Sequence, residues 1–358
     1  MRAAVPRPGA AQGQWDHLDL FGLSLSTPGP ATLGEGHTPL VPAPRLGRSL
    51  GVPDLWLKRE ELNPTGSHKA RSLALQCAAL RESGRTGVLS SSGNAAVAAA
   101  AYAGANQVQV VVLVSPRTPS IKLRALAAFS GPLLVSSTPV ALLRRAVAVF
   151  GCEDLRPSVH PLAPVAYRGI AAELERALAP ERRPDAVFCC ASSGATVIGL
   201  ADGFAACRPG GGPAIHVVQV GGSGDLVRPW APPRPAGRPG AIGGLGAGRS
   251  RRAGAVRRAV TASSGRGWAV DPSELESTRE LASSFGVATS WEGVGVLAAI
   301  RAAAPLLTGQ RVVALLTGDA GQLDLEPDPD PTRFPRLTGV ETEAAFDARL
   351  RACGIAPR

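Results

Sequence analysis

Lysine is nearly missing from this chain of 358 residues. Only Lys58, Lys69 and Lys122 stand among its 38 basic residues; the others are arginine. Arginine neither forms a Schiff base nor sheds its proton at neutral pH, so each lysine is a candidate for amine chemistry. Cysteine and histidine are sparse as well. The six cysteines (Cys77, Cys152, Cys189, Cys190, Cys207, Cys353) contain no CxxC pair, and the five histidines (His17, His37, His68, His160, His216) contain no HExxH. Neither a metal site nor a disulfide framework is expected. The N-terminus lacks the apolar core of a signal peptide. Residues 87–116 lack charge, which could mimic a membrane span, but Ser90, Ser91, Ser92, Gly93, Asn94, Asn106, Gln107 and Gln109 interrupt the stretch. A buried strand–helix–strand fits it better. No Gly-X-Y period accompanies the 42 Gly and 32 Pro, which excludes collagen. Acidic residues are absent between Arg228 and Val260, where eight arginines hold most of the net charge of +10. That charge sits in a Pro/Gly/Arg-rich stretch, not on a folded basic face with interleaved aromatics, so nucleic acid is not the expected partner. A soluble, cytoplasmic protein is expected.

What is present indicates a folded enzyme-sized chain. Its length suggests about two domains, and 45% hydrophobic against 18% charged residues supports a large core. Short apolar runs alternate with Ala/Leu/Arg-rich helical patterns. Strands are predicted at 55–58, 88–90, 108–114, 186–190, 215–220 and 312–316. Helices are predicted at 67–82, 94–103, 121–129, 139–150, 169–179, 194–206, 272–285, 293–303 and 341–352. This order argues for an α/β fold of parallel sheets with helices on both faces. Ligands in such folds lie at the carboxyl ends of strands.

Four strand-to-helix turns carry chemistry. In Asn63-Pro64-Thr65-Gly66-Ser67-His68-Lys69, Lys69 falls in the first turn of a helix that Ser67 caps. The helix dipole is positive there, which favours the neutral amine that a Schiff-base lysine must reach. Ser90-Ser91-Ser92-Gly93-Asn94 offers hydroxyls, an amide and helix-start N–H groups. Ala191-Ser192-Ser193-Gly194-Ala195-Thr196 has the design of a phosphate cradle without a Walker lysine, and it is not G-x-G-x-x-G. Leu316-Thr317-Gly318 would present a hydroxyl at a strand end. Alone, the first could be an exposed lysine with its tip in water, the second and third ordinary helix caps, and the fourth a plain turn. Together they supply an amine, a phosphate cradle, an amide-lined nest and a hydroxyl, which suit pyridoxal phosphate.

At these residues the chain resembles the fold-type II pyridoxal-phosphate enzymes, and within them threonine synthase and its relatives (threonine dehydratase, cysteine synthase and diaminopropionate enzymes). Gly34-Glu35-Gly36-His37-Thr38-Pro39-Leu40 resembles GEGxTPL. The stretch from Leu57-Lys58-Arg59-Glu60 to Arg71 resembles LKREDLNPTGSFKDR. Ser91-Ser92-Gly93-Asn94, Tyr167-Arg168-Gly169, Trp291-Glu292-Gly293 and Leu316-Thr317-Gly318 resemble further family segments, in order over residues 33–324. The resemblance implies a two-lobed fold with twisted parallel sheets flanked by helices, a homodimer, and pyridoxal 5'-phosphate between the lobes. It implies that Lys69 carries the cofactor and moves the substrate's α-proton. Asn94 would bond the cofactor's 3-oxygen, Ser192, Ser193, Gly194, Ala195 and Thr196 would hold its phosphate, and Thr317 would face the pyridine nitrogen. Ser91, Ser92 and Gly93 would contact the carboxylate of an amino-acid substrate, with His68 beside them.

The departures are specific. His68 replaces the usual Phe and Ala70 the usual Asp, while the segment 317–324 has one residue more than usual and lacks its Lys. His68 either packs beside the cofactor or tunes the proton traffic of Lys69. The cationic candidates for a second, substrate phosphate are Arg71, Arg117 and Lys122. Pro/Gly-rich composition with weak periodicity suggests an N-terminal arm, partly disordered, at 1–32. A larger cofactor-binding lobe would comprise 33–71 and 161–340, and a smaller mobile lobe 72–160. A flexible loop is expected at 228–260, with a C-terminal helix and tail at 341–358. The expected activity is elimination or replacement at the β or γ carbon, with O-phosphohomoserine to threonine leading. The alternatives are a β-eliminase or β-replacement enzyme on serine-, threonine- or cysteine-like substrates, and a cofactor-binding relative without catalysis.

Overall fold

A computed structural model describes residues 13–22, 31–126, 129–221, 224–231, 249–323 and 337–358. Eleven strands form two sheets among these residues. The strands are β1 (Leu40–Pro42), β2 (Leu55–Arg59), β3 (Gly87–Ser90), β4 (Val110–Val114), β5 (Leu133–Val135), β6 (Glu153–Asp154), β7 (Ala186–Cys190), β8 (Ala214–Val220), β9 (Gly267–Val270), β10 (Val312–Leu316) and β11 (Leu337–Gly339). The larger sheet has the order β1-β2-β10-β7-β8-β9, and the smaller β11-β5-β4-β3-β6. Every pairing is parallel except that of β1 with β2.

Strand periodicity divides the residues of each sheet between two cores. Along β10, Val312, Ala314 and Leu316 enter one core, while Val313 and Leu315 enter the other. Along β4, Val110, Val112 and Val114 likewise face away from Val111 and Leu113. All five residues of β10 are fully buried. A strand covered on both faces must be apolar at every position, which is why β4 and β10 read as unbroken β-branched and aliphatic runs. At about 1.5–3 kcal/mol per fully buried large aliphatic side chain, these strands anchor their lobes.

The sequence-derived elements recur with three informative differences. The helix expected from Gly169 starts seven residues earlier and spans Leu162–Ala177. Pro164 lies in its first turn, where a missing N–H costs no helical hydrogen bond. The segment 228–260 is not all loop, for Ala253–Ala262 is a helix that buries Ala253, Val256 and Val260; residues 232–248 lie outside the described residues. The smaller lobe is not one stretch of chain. β11 pairs with β5, and helix Glu343–Ala352 buries Phe346 and Leu350 against Val88, Val111 and Leu134. A three-residue edge strand carries too little periodicity to be seen in sequence. In the arm, residues 13–21 are helical and Trp15 is buried; most of the rest lies outside the described residues. No helix among the described residues is long and apolar enough to cross a membrane.

Candidate active site

The parallel strands β2, β7 and β10 end on one side of the larger sheet, and the turns that follow them meet there. Lys69 is the first residue of helix Lys69–Ser83. The turn before it is stitched to the end of β10. Ser67 forms a bridge with Gly318, and the His68 N–H donates to the Thr317 carbonyl at 3.1 Å. The Gly318 carbonyl accepts from the Ser290 N–H at 2.8 Å and from Thr289 Oγ1 at 3.0 Å. Ser67 was expected as the helix cap, but His68 holds the cap position with no side-chain cap bond; Ser67 Oγ accepts from the Lys69 N–H at 3.3 Å.

His68 is buried, and both ring nitrogens have partners. Nδ1 is 3.0 Å from the Thr317 carbonyl oxygen, and Nε2 is 3.1 Å from Lys69 Nζ. Of the roles expected for His68, the contact with Lys69 is the one on which its ring nitrogen bears. Desolvation, then the neighbouring Lys69, push its pKa well below the ordinary histidine value. Desolvation lowers that of Lys69 to about 8, with Glu292 opposing it. Lys69 Nζ also lies 5.8 Å from the centre of the Tyr167 ring. Burial pushes the neighbouring Cys189 thiol up to about 12, so it stays neutral.

Behind β7, Gly194 takes φ 81° and opens helix Ala195–Cys207. The first bond to the turn comes from the Ile198 N–H to the Gly194 carbonyl. The N–H groups of Ala195, Thr196 and Val197 precede it, and a helix start leaves such donors without an intrahelical acceptor. Ser250 Oγ donates to the Ser193 carbonyl at 2.8 Å. Arg252 spans from this loop to the carbonyls of Pro157 at 2.9 Å and His160 at 2.8 Å. The sequence reading missed Arg252, because it sits in the apparent loop, where composition gives no sign of a clamp.

The smaller lobe supplies the facing wall. Ser91 Oγ accepts from the Gly93 N–H, and Ser92 Oγ accepts from the Ser115 N–H. Lys122 Nζ donates to Asn94 Oδ1 at 2.5 Å. Desolvation lowers the Lys122 pKa to about 8, opposed by Glu292 and Asp319. Glu292 therefore acts on both Lys69 and Lys122 across the cleft. Arg71 does not reach this wall. Its guanidinium is fully buried and makes two hydrogen bonds to Glu60 and two to Glu173, each between 2.7 and 2.8 Å. Arg71 therefore drops out as a substrate-phosphate site, and Arg117 is exposed.

Residues 31–318 match the family described as "Pyridoxal-phosphate dependent enzyme". Among curated proteins, the chain is similar to threonine synthase of Halalkalibacterium halodurans, 42% identical over 84 residues, 23% of each chain. It is 34% identical to threonine synthase of Mycobacterium leprae over 139 residues, 37% of this chain and 38% of that one. With threonine synthase of Mycobacterium bovis it shares 28% over 207 residues, 56% of this chain and 49% of the relative. The matched stretch thus spans less than half the length of each. Among solved structures, maize serine racemase superposes with a TM-score of 0.66 at 18% identity, covering 80% of this chain and 90% of that one. Threonine deaminase isoform 2 of Solanum lycopersicum gives 0.65 at 18%, covering 83% and 82%. These two show the shared fold. An amine of lowered proton affinity, hydroxyl-bearing turns and a helix start are the donor set that a phosphorylated aromatic aldehyde requires. By its fold, its site and the match over residues 31–318, the chain belongs to the pyridoxal-phosphate-dependent enzymes of fold type II, with pyridoxal 5'-phosphate as cofactor.

Proposed function

We propose that this protein is an amino-acid lyase or synthase of the threonine-synthase type, with Lys69 as the catalytic amine. The observation that carries this is the position of Lys69. It stands where the ends of β2, β7 and β10 converge, with its pKa lowered to about 8. An ordinary exposed lysine would be almost wholly protonated at neutral pH.

The described residues fit the cofactor. Ser290 Oγ is buried without a partner among the described residues. It belongs to the cluster around Gly318 and, with Thr317, offers hydroxyls on the side assigned to the pyridine nitrogen. The helix start Ala195–Val197, with Ser192, Ser193, Gly194 and Thr196, is assigned the phosphate. Asn94, fixed by Lys122, is assigned the 3-oxygen. Pyridoxal phosphate supplies an aldehyde for amines and a ring that withdraws electrons from the α-carbon. Lys69 Nζ takes the substrate's α-proton and later returns a proton. Ser91, Ser92 and Gly93 hold the substrate carboxylate. The neutral Cys189 thiol does not compete as a nucleophile. O-phosphohomoserine conversion to threonine is the leading reaction.

A second reading follows from Arg71. With that guanidinium locked in ion pairs, the buried candidate cation left for a substrate phosphate among the described residues is Lys122. This favours a β-eliminase or β-replacement enzyme on serine-, threonine- or cysteine-like substrates.

The test is the visible absorption spectrum of the purified protein beside Lys69→Ala. A yellow band present in the native chain and lost in the variant supports the reading. A colourless native chain that stays colourless with added pyridoxal phosphate sinks it. Phosphate released together with threonine identifies the first reaction. A 2-oxo acid with ammonia identifies the second.

A further inference from the structure

We infer that His68 is a positioning residue for Lys69: its neutral ring, locked as one tautomer by the Thr317 carbonyl, accepts a hydrogen bond from Lys69 Nζ at Nε2. The inference rests on Lys69 being the catalytic amine and goes beyond it.

A carbonyl oxygen can only accept, so the 3.0 Å contact between His68 Nδ1 and the Thr317 carbonyl places a proton on Nδ1. In a neutral imidazole the other nitrogen then carries the lone pair. That nitrogen, Nε2, lies 3.1 Å from Lys69 Nζ, which has only donors when charged. The lock is rigid. Thr317 is buried at the end of β10, and the His68 N–H donates to the same carbonyl. Tyr167 covers the His68 ring from 5.3 Å.

The proton stays on the lysine side of the pair. Desolvation and Lys69 hold His68 well below its ordinary value, whereas Lys69 titrates at about 8. The ring therefore acts as an aimed acceptor and not as a store of charge. The other groups acting on Lys69 Nζ are Glu292, Cys189 and Cys190, which raise its proton affinity, and Arg252, which lowers it. A neutral acceptor at Nε2 stabilises the ammonium and offsets part of the desolvation. It also fixes the rotamer of Nζ at the strand ends.

The experiment reads Lys69 in the full chain freed of cofactor, by acetic anhydride labelling against pH with peptide mapping. Three lysines in the chain make the map simple. In His68→Phe, which removes the acceptor, the Lys69 midpoint is expected to fall from about 8 to about 7 or lower. In His68→Gln, which keeps a donor for Thr317 and an acceptor for Lys69, it is expected to stay near the native value. Nitrogen NMR of the native chain is expected to show His68 protonated at Nδ1 only, with the signal assigned by its loss in His68→Gln. An unchanged or raised midpoint in His68→Phe, or a fall in His68→Gln as large as in His68→Phe, overturns the proposal. So does a proton on Nε2 of the native ring, a result that stands even if His68→Phe does not fold. If the visible band survives in Lys69→Ala, the catalytic reading of Lys69 fails, while the labelling and NMR results still decide the role of His68.

Discussion

Four charged side chains, Lys58, Glu60, Arg71 and Glu173, lie almost entirely out of water beside the head of the Lys69 helix. Lys58 Nζ donates to Glu173 at 2.5 Å and to the Thr38 carbonyl at 2.6 Å, and Arg71 bonds both carboxylates. Two positive and two negative charges cancel, which is what lets the cluster be buried. Removing one member leaves an uncompensated charge. Glu173→Gln is expected to cost about 3–5 kcal/mol in urea unfolding, whereas breaking an exposed pair such as Arg279 with Glu276 is expected to cost far less. A loss below 1 kcal/mol would show that the cluster relaxes. The same residues set an acid limit. Burial alone would raise the carboxyl pKa values of Glu60 and Glu173, but Arg71 and Lys58 outweigh it and hold them low. The unfolded chain then binds protons first, so their contribution is present above pH about 4.5 and is lost as pH falls below it. Denaturant midpoints measured against pH in the native chain and Glu173→Gln check this. An acid slope as steep in the variant as in the native chain contradicts it.

At the scale of elements, the loop proposed to hold the phosphate depends on helix Ala253–Ala262 as much as on its own residues. A Cβ on Gly194 would come within 2.3 Å of Val256 Cγ2 on that helix, and φ there is 81°. Gly194→Val is expected to raise the pyridoxal phosphate Kd at least tenfold, read from the visible band during titration, and to cost about 1–3 kcal/mol of stability. The double change Gly194→Ala with Val256→Ala removes the clash but keeps the unfavourable φ, so it should recover only part of the loss. An unaltered Kd in Gly194→Val would mean that this loop does not hold the cofactor. Composition explains why the helix was hidden. It follows a Pro/Gly-rich stretch, and its apolar face is made of small residues, Ala253, Val256 and Val260.

At the scale of the whole molecule, the smaller lobe is completed by the end of the chain. β11 adds an edge to β5, while Phe346, Leu350 and Ile355 complete the core over β3, β4 and β5. Arg145 ties this end down through a two-bond pair with Asp347 at 2.6 and 2.7 Å. Truncation after residue 336 is expected to bare that core and speed amide exchange in β3, β4 and β5 well before β7 and β10. Equal protection of both sheets in the truncated chain would contradict this division of the molecule.

The sequence by itself determined six of the eleven strands, the four turns and the place of Lys69 at the head of its helix. These are local facts: unbroken apolar runs, Gly and Pro in tight turns, and hydroxyls ahead of helices all lie within a few residues of one another. Only the tertiary structure decided how those residues are used. Glu173 lies 102 residues from Arg71, yet it claims that guanidinium and removes it from the list of substrate contacts. Thr317, 249 residues from His68, supplies the carbonyl that fixes the imidazole tautomer. The closing strand of the smaller lobe comes from residues 337–339. Residue type states what a group can donate or accept. Which partner meets it depends on where the strands end in space, and no local pattern encodes that.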